Sequence, residues 1–308
     1  MTMNQNTLRG LILLVILSLG IAALTTRNIK ERGYVERAVR LMDRKGLFAE
    51  GEEWKMAKKE ALSQKPKSME EAHEKVREAL TVAGGKHSFI REASSVQNDL
   101  SARWDDPEVS FPEEGIVMIK LPEFMGSRSD GVKYAESTLR QIPEDLEGAV
   151  IDLRGNTGGN MYPMIAAVSP FLPIGEQMSF KSRKGRTVVT SDLVRNVSGV
   201  KDFSFGTRDC PVAVLTDSLT ASSGEAVMIC FMGKRRYRSF GGPTAGYCSG
   251  NTLFRMRDGS SLVLTTGCDV SRNGDIFCDD PIQPDVLTEE PLTDAIAWIK
   301  RYNDPEGE

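Results

Sequence analysis

A chain of 308 residues is long enough to bury one large core or two smaller ones. With 40% hydrophobic and 27% charged residues and a net charge of -4, it is neither a disordered chain nor one with the basic excess that neutralises a phosphate backbone, so nucleic acid is not an expected partner. Five cysteines without a CxxC pair, beside only two histidines, do not make a metal site.

The chain opens on an uncharged apolar run, Leu11 to Leu24, bounded by Arg9 and Arg27. Residues 1–26 are read as an export signal, either cleaved among the small residues Gly20 to Ala23 or retained as a membrane anchor, with the remainder extracytoplasmic. Arg27, Lys30 and Arg32 follow the run and by the positive-inside rule pull the other way. Residues 27–100 read as a helical cap: Val35, Ala38, Val39, Leu41 and Met42 recur at helical spacing, Gln64 to Ser68 is a break, and Ser68 before Glu70 and Glu71 is a helix start. On that charged segment His73 reads as a solvated surface residue. Gly84 and Gly85 end the last cap helix and open a loop through Lys86, His87 and Ser88.

Residues 101–308 read as a core of alternating strand and helix. Strands are expected at Gly115–Leu121, Gly148–Leu153 and Val212–Thr216, and helices at Ser129–Arg140, Tyr162–Phe171 and from near Ser222 to Met232. Leu253–Met256 and Leu262–Thr266 form a hairpin around Asp258 and Gly259. The fold class is thus α/β, a mixed sheet with helices packed on it. Asn273-Gly274 is a second turn signal, which lets Cys268 and Cys278 face one another as a disulfide; two buried, reduced cysteines fit the pattern equally.

Two loops carry chemistry. Thr216 to Glu225 leaves an apolar strand, turns through small hydroxyl residues and enters an apolar helix, where free N–H groups favour negative charge beside an exposed hydroxyl. Plain helix capping by Ser222 or Ser223 gives the same pattern. Asp152 to Asn160 also runs from a buried strand into a helix, with glycines that let backbone amides approach a ligand, yet it matches neither GxGxxG nor a P-loop. An oxyanion hole suits it better than a nucleotide.

Three segments, Ala149–Gly159, Thr220–Glu225 and Ile282–Val286, occur in an order and spacing that resembles the tail-specific, or C-terminal processing, peptidases, a family that includes the tricorn core. The resemblance implies the peptidase core fold, here without an inserted PDZ domain, a serine nucleophile three residues before Glu225, hence Ser222, and an oxyanion hole from the amide of Gly158 or Gly159 with that of Ser223. The lysine of the serine-lysine branch is missing: Thr244-Ala245-Gly246 is followed by Tyr247, and no lysine lies between Lys234 and Lys300. The tricorn-like branch uses a histidine, and His87 stands in the matching Gly-x-His-Ser segment. A third member, if present, falls at Asp279 or Asp280, which read equally well as a solvated acidic turn. Glu225 is expected to orient the helix start rather than act as base. The implied activity is an extracytoplasmic Ser-His endopeptidase, needing no cofactor, acting on extended peptides, protein tails or lantibiotics; the alternative is an inactive binder of peptides or hydrophobic ligands on the same fold.

Overall fold

A computed structural model describes residues 30–63, 65–93, 104–201 and 203–304. They fall into two compact units, one formed by the chain up to Glu92 together with Leu253–Leu264, the other by Ala93–Thr252 with Thr265–Glu308. The first unit therefore takes back a segment that the sequence reading assigned to the core. No helix among the described residues is long and apolar enough to cross a membrane. The apolar run Leu11 to Leu24, on which the membrane-helix expectation rested, lies outside the described residues.

The first unit holds α1 (30–45), α2 (Gly51–Ser63), α3 (Met69–Gly84) and the short β1 (Phe89–Arg91). Ser68 caps α3, its side chain accepting from the Glu71 amide as the sequence suggests. Ala38, Met42, Trp54, Ala72, Val76, Leu80, Leu262 and Leu264 share one apolar core. β1 pairs antiparallel with Ser261–Val263. His73 is not on the surface: it is 8% exposed, its Nε2 lies 2.7 Å from Asp258 Oδ2, and its ring stacks obliquely on Tyr34. It sits three residues before Val76 on the buried stripe of α3, and Asp258, 185 positions away, supplies the polar partner that lets it stay there.

The second unit is built on a six-stranded sheet. Its strands are β2 (Glu108–Glu113), β3 (Ile116–Lys120), β4 (Gly148–Asp152), β7 (Val212–Thr216), β8 (Tyr237–Gly241) and β12 (Val286–Leu287), in the spatial order β12-β8-β7-β4-β3-β2. All neighbours are parallel except β2, an antiparallel edge. Strand alternation divides the apolar residues into two cores: Val117, Ile119, Ile151, Val212 and Val214 face one side, while Ile116, Val150, Ala213, Leu215 and Phe240 face the other and pack against Ala295 and Ile299 of the C-terminal helix, α8 (Pro291–Asn303). Both faces are covered, so β4 and β7 read as continuous apolar runs.

The first of those two cores is closed by α4 (Arg128–Leu139), α5 (Met161–Ala167) and α7 (Ser223–Phe231). The helix expected to run to Phe171 ends at Ala167, and a 3₁₀ turn over Ser169–Phe171 continues it because Pro170 lacks an N–H to donate. The sequence reading has no counterpart for β5 (Glu176–Ser182), β6 (Gly185–Thr190) and α6 (Ser191–Ser198). β5 and β6 form an antiparallel ladder. The predicted hairpin is longer than expected, with β9 spanning Ser249–Arg255 and β10 Ser261–Val270. β10 pairs with β5 through Cys268–Val270 and with β11 (Ile276–Phe277) around the Asn273-Gly274 turn. A disulfide joins Cys268 to Cys278; Cys210, Cys230 and Cys248 are buried and reduced.

Candidate active site

β4 and β7 are adjacent and parallel, with Asp152 opposite Leu215, so the two loops that leave their carboxyl ends meet. The loops are tied together. Gly155 N, Leu219 N and Thr220 N all donate to Asp217 Oδ1, Thr220 Oγ1 donates to Leu153 O, and Ala221 N donates to Asn156 O. Arg154 folds back in a bidentate pair on the buried Asp152 carboxylate.

At the centre stands Ser222, the one non-glycine residue with a positive φ among the described residues, at +51°. Such a conformation costs on the order of 1–3 kcal/mol and persists only where its surroundings impose it. Glu225 imposes it. The Glu225 carboxylate is fully buried and accepts from Ser222 N at 2.7 Å, Tyr247 N at 2.8 Å, Gly246 N at 2.9 Å and Cys248 Sγ at 3.1 Å, with Thr244 Oγ1 as a further, very short donor. It acts as a clamp between the start of α7 and the 244–248 loop, the orienting part expected of it.

The glycine loop presses against the serine. A Cβ on Gly158 would lie 2.9 Å from Ser222 Cβ, and one on Gly159 would lie 2.1 Å from Phe124 O, with φ at +107°. Neither position has room for a side chain. Gly158 N donates to Asn156 Oδ1 at 2.9 Å, and Asn156 is itself buried and donates to Leu121 O. The Gly158 amide is thus already engaged. Gly158 O accepts from Phe124 N, so the planar trans peptide turns the Gly159 N–H the other way. Ser223 Oγ donates to Gly159 O at 2.6 Å, which holds that residue beside the first turn of α7. Ser223 is the first residue of α7, whose amide has no intrahelical acceptor.

Ser222, Ser223 and Gly159 line a cleft of about 420 Å³. Its other walls are Asn160, Met161 and Tyr162 at the start of α5, Phe180 of β5, Gly250 to Thr252 of β9, and Gly267 and Asp269 of β10. Asp269, which sequence reasoning passed over, is 2% exposed, and its carboxyl is held well above the usual carboxylate range by burial and by the Glu225 charge. Of the two acids read as a third member, Asp279 accepts from Ser249 Oγ at 3.1 Å and Asp280 is exposed with its carbonyl near Cys248 Sγ; neither lines the cleft. Lys234 lies beyond the far end of α7, a helix of 9 residues and so about 13 Å long, with its Nζ donating to Cys210 O. His87 belongs to the first unit, half-buried on the turn that joins α3 to β1, where Ser88 Oγ donates to Gly84 O.

Comparison with known proteins places this arrangement in a wider set. The model of peptidase family S41 matches residues 115–288. The chain is 32% identical over 318 residues, 97% of its length and 99% of the relative's, to the nisin-resistance protein of Lactococcus lactis subsp. lactis. It is 31% identical over 187 residues, 60% of its length and 41% of the relative's, to the carboxy-terminal-processing protease of Bartonella bacilliformis. Among solved structures, a lipoprotein from Streptococcus agalactiae superposes with a TM-score of 0.82 at 29% identity, covering 89% of this chain and 97% of that one. The photosystem II D1 C-terminal processing protease shares the fold, with a TM-score of 0.59 at 14% identity over 84% of this chain and 93% of that one.

Proposed function

Because the chain belongs to peptidase family S41, we propose that it is a serine peptidase in which Ser222 is the nucleophile, His87 the base, and the Gly159 and Ser223 amides the oxyanion hole. The observation that carries the reading is the backbone of Ser222, strained at φ +51° and clamped by Glu225 at the mouth of a cleft. A serine used only as a helix cap sits in relaxed extended backbone.

In the proposed reaction His87 takes the Ser222 hydroxyl proton as Oγ bonds to the peptide carbonyl carbon, and the carbonyl oxygen becomes an oxyanion received by the two amides. The C–N bond then breaks, His87 returns its proton to the leaving amine, and water cleaves the acyl-enzyme by the same steps in reverse. The choice of His87 is supported by elimination. The chain has two histidines; His73 is buried against Asp258, and Lys234 is engaged at the wrong end of α7. Glycine at 159 rather than 158 is assigned because the Gly158 amide is taken up by Asn156.

The substrate class we propose is an extended peptide or protein tail, and, by analogy with the nisin-resistance relative, lantibiotic peptides deserve a place in the substrate panel. The apolar run at the N-terminus would hold or export the catalytic part on the outer side of a membrane. A fluorophosphonate probe on the full chain tests the mechanism: wild type is expected to be labelled at Ser222, Ser222→Ala to be unlabelled, and His87→Ala to label at least 100-fold more slowly. Labelling that is unaffected in His87→Ala overturns the Ser-His assignment, and peptide binding without labelling or cleavage by wild type makes the protein a binder.

A further inference from the structure

Among the 17 described residues that line the Ser222 cleft, Asp269 is the sole one with an acidic or basic side chain apart from the phenol of Tyr162. The remainder are hydroxyls, amides, glycines and apolar or aromatic groups. Asp269 has no ion pair among the described residues, and its Oδ1 is buried without a hydrogen-bond partner. The neighbouring Cys268 side chain leaves β10 toward Cys278, so by strand alternation the Asp269 side chain stands on the opposite face. The groups whose charges act on it or feel it are Glu225 and Cys230 of α7 and Cys248 before β9. None is a cation. Both thiols are pushed up by burial, Cys230 to about 12, and stay neutral, while the Glu225 carboxylate is filled by its own donors.

A buried carboxyl with an unfilled acceptor is costly, and one that lines a cleft can be satisfied by a group arriving from outside. Among its described lining residues the cleft offers hydroxyl walls and no lysine, arginine or histidine, so the partner that fits Asp269 is a cation carried by the substrate. We propose that Asp269 is the specificity-determining residue of this cleft and that it selects peptides with a lysine or arginine side chain lodged beside Ser222. This inference rests on the peptidase reading for its place in a reaction, though not for the binding preference itself. In the empty cleft burial and the Glu225 charge favour the protonated carboxyl; a cationic side chain that enters favours the carboxylate, which pairs with it as the proton leaves to solvent. Binding of cationic peptides is therefore coupled to proton release and tightens as the pH rises, whereas binding of neutral peptides carries no such coupling.

The test uses the full chain and N-acetylated peptides that differ at one position, lysine against norleucine and arginine against citrulline, so that the side chain is the only added cation. Binding is measured with the Ser222→Ala variant, and turnover with wild type. Lysine and arginine peptides are expected to bind roughly 10- to 100-fold more tightly than their neutral partners at pH 8. Adding Asp269→Asn is expected to abolish that preference and its pH dependence, bringing the affinity for cationic peptides down to that for their neutral partners. Equal affinity for charged and neutral peptides overturns the proposal, and so does an Asp269→Asn variant that weakens both classes alike, since that is a structural role. The wild-type peptide comparison stands even where the variant does not fold. If wild type cleaves nothing but Ser222→Ala retains the cation preference, the peptidase reading fails and the cation site survives; if wild type cleaves both classes with the same kcat/KM, the reverse holds.

Discussion

The Ser222 amide donates to the Glu225 carboxylate across 2.7 Å, so the residue just before α7 is gripped by a fully buried acid three positions further along the chain. The same carboxylate reaches the Gly246 and Tyr247 amides, which makes the strained serine the product of a contact between two loops. Glu225→Gln replaces one acceptor oxygen by a donor that faces other donors. The variant is expected to lose about 2–3 kcal/mol of stability and at least tenfold in kcat with KM little changed, read by denaturant titration and steady-state kinetics.

Gly159 and Gly155 both have positive φ and differ in their surroundings. A Cβ at 159 would lie 2.1 Å from Phe124 O, whereas at 155 nothing lies within 4 Å. Gly155→Ala is expected to fold with a cost of about 1 kcal/mol and keep its activity, while Gly159→Ala displaces the loop from Phe124 and abolishes activity. Fluorophosphonate labelling of the two variants side by side checks this.

Ser223 contributes its hydroxyl to Gly159 O at 2.6 Å, apart from the amide assigned to the oxyanion. Ser223→Ala keeps the amide and loses the tether. We expect a stability loss of about 1 kcal/mol and a fall of roughly tenfold in kcat. An unchanged kcat would show that Gly159 needs no such hold.

The Cys268–Cys278 disulfide closes a loop with a sequence separation of 10 next to Asp269 and Asp279. Loop-closure entropy for so short a ring gives about 3 kcal/mol, so Cys268→Ser with Cys278→Ser is expected to lower the midpoint of thermal unfolding by roughly 5–10 °C. The other three cysteines are buried, and dithiothreitol added to wild type should reproduce the shift.

Asp258 in the first unit makes a pH-dependent contribution. Burial raises its pKa, but hydrogen bonds from Ser260 and His73 outweigh burial and leave it below the ordinary aspartate value. A carboxyl whose folded pKa is depressed stabilises the fold above its unfolded pKa, about 3.9, and loses that contribution as the pH falls through the folded one. The stability difference between wild type and Asp258→Asn is therefore expected to be largest near neutrality and to shrink below about pH 4, as unfolding curves across pH would show.

Much of the architecture is legible along the chain. β4 and β7 stand out because a strand covered on both faces must be apolar throughout, and the start of α3 is announced by Ser68. β2 and β6 escape notice for the opposite reason. They lie at sheet edges, one face or both is exposed, and Pro112 interrupts β2, so no clean alternation marks them. α8 does carry signals that could have been read, with proline at its first position and Ala295 and Ile299 four apart.

The sequence alone determined the family and marked out the two loops that meet at Ser222, because each is a local motif whose order along the chain survives without knowledge of contacts. Only the tertiary structure decided that His73 is buried, that the Gly158 amide is spent on Asn156, that Glu225 clamps the serine to the 244–248 loop, and that Asp269 lines the cleft with its Oδ1 unfilled among the described residues. Burial, hydrogen-bond partners and the electrostatics that follow from them are properties of neighbours in space. His73 owes its state to Asp258 and Asp269 to Glu225, residues that periodicity along one segment cannot bring together.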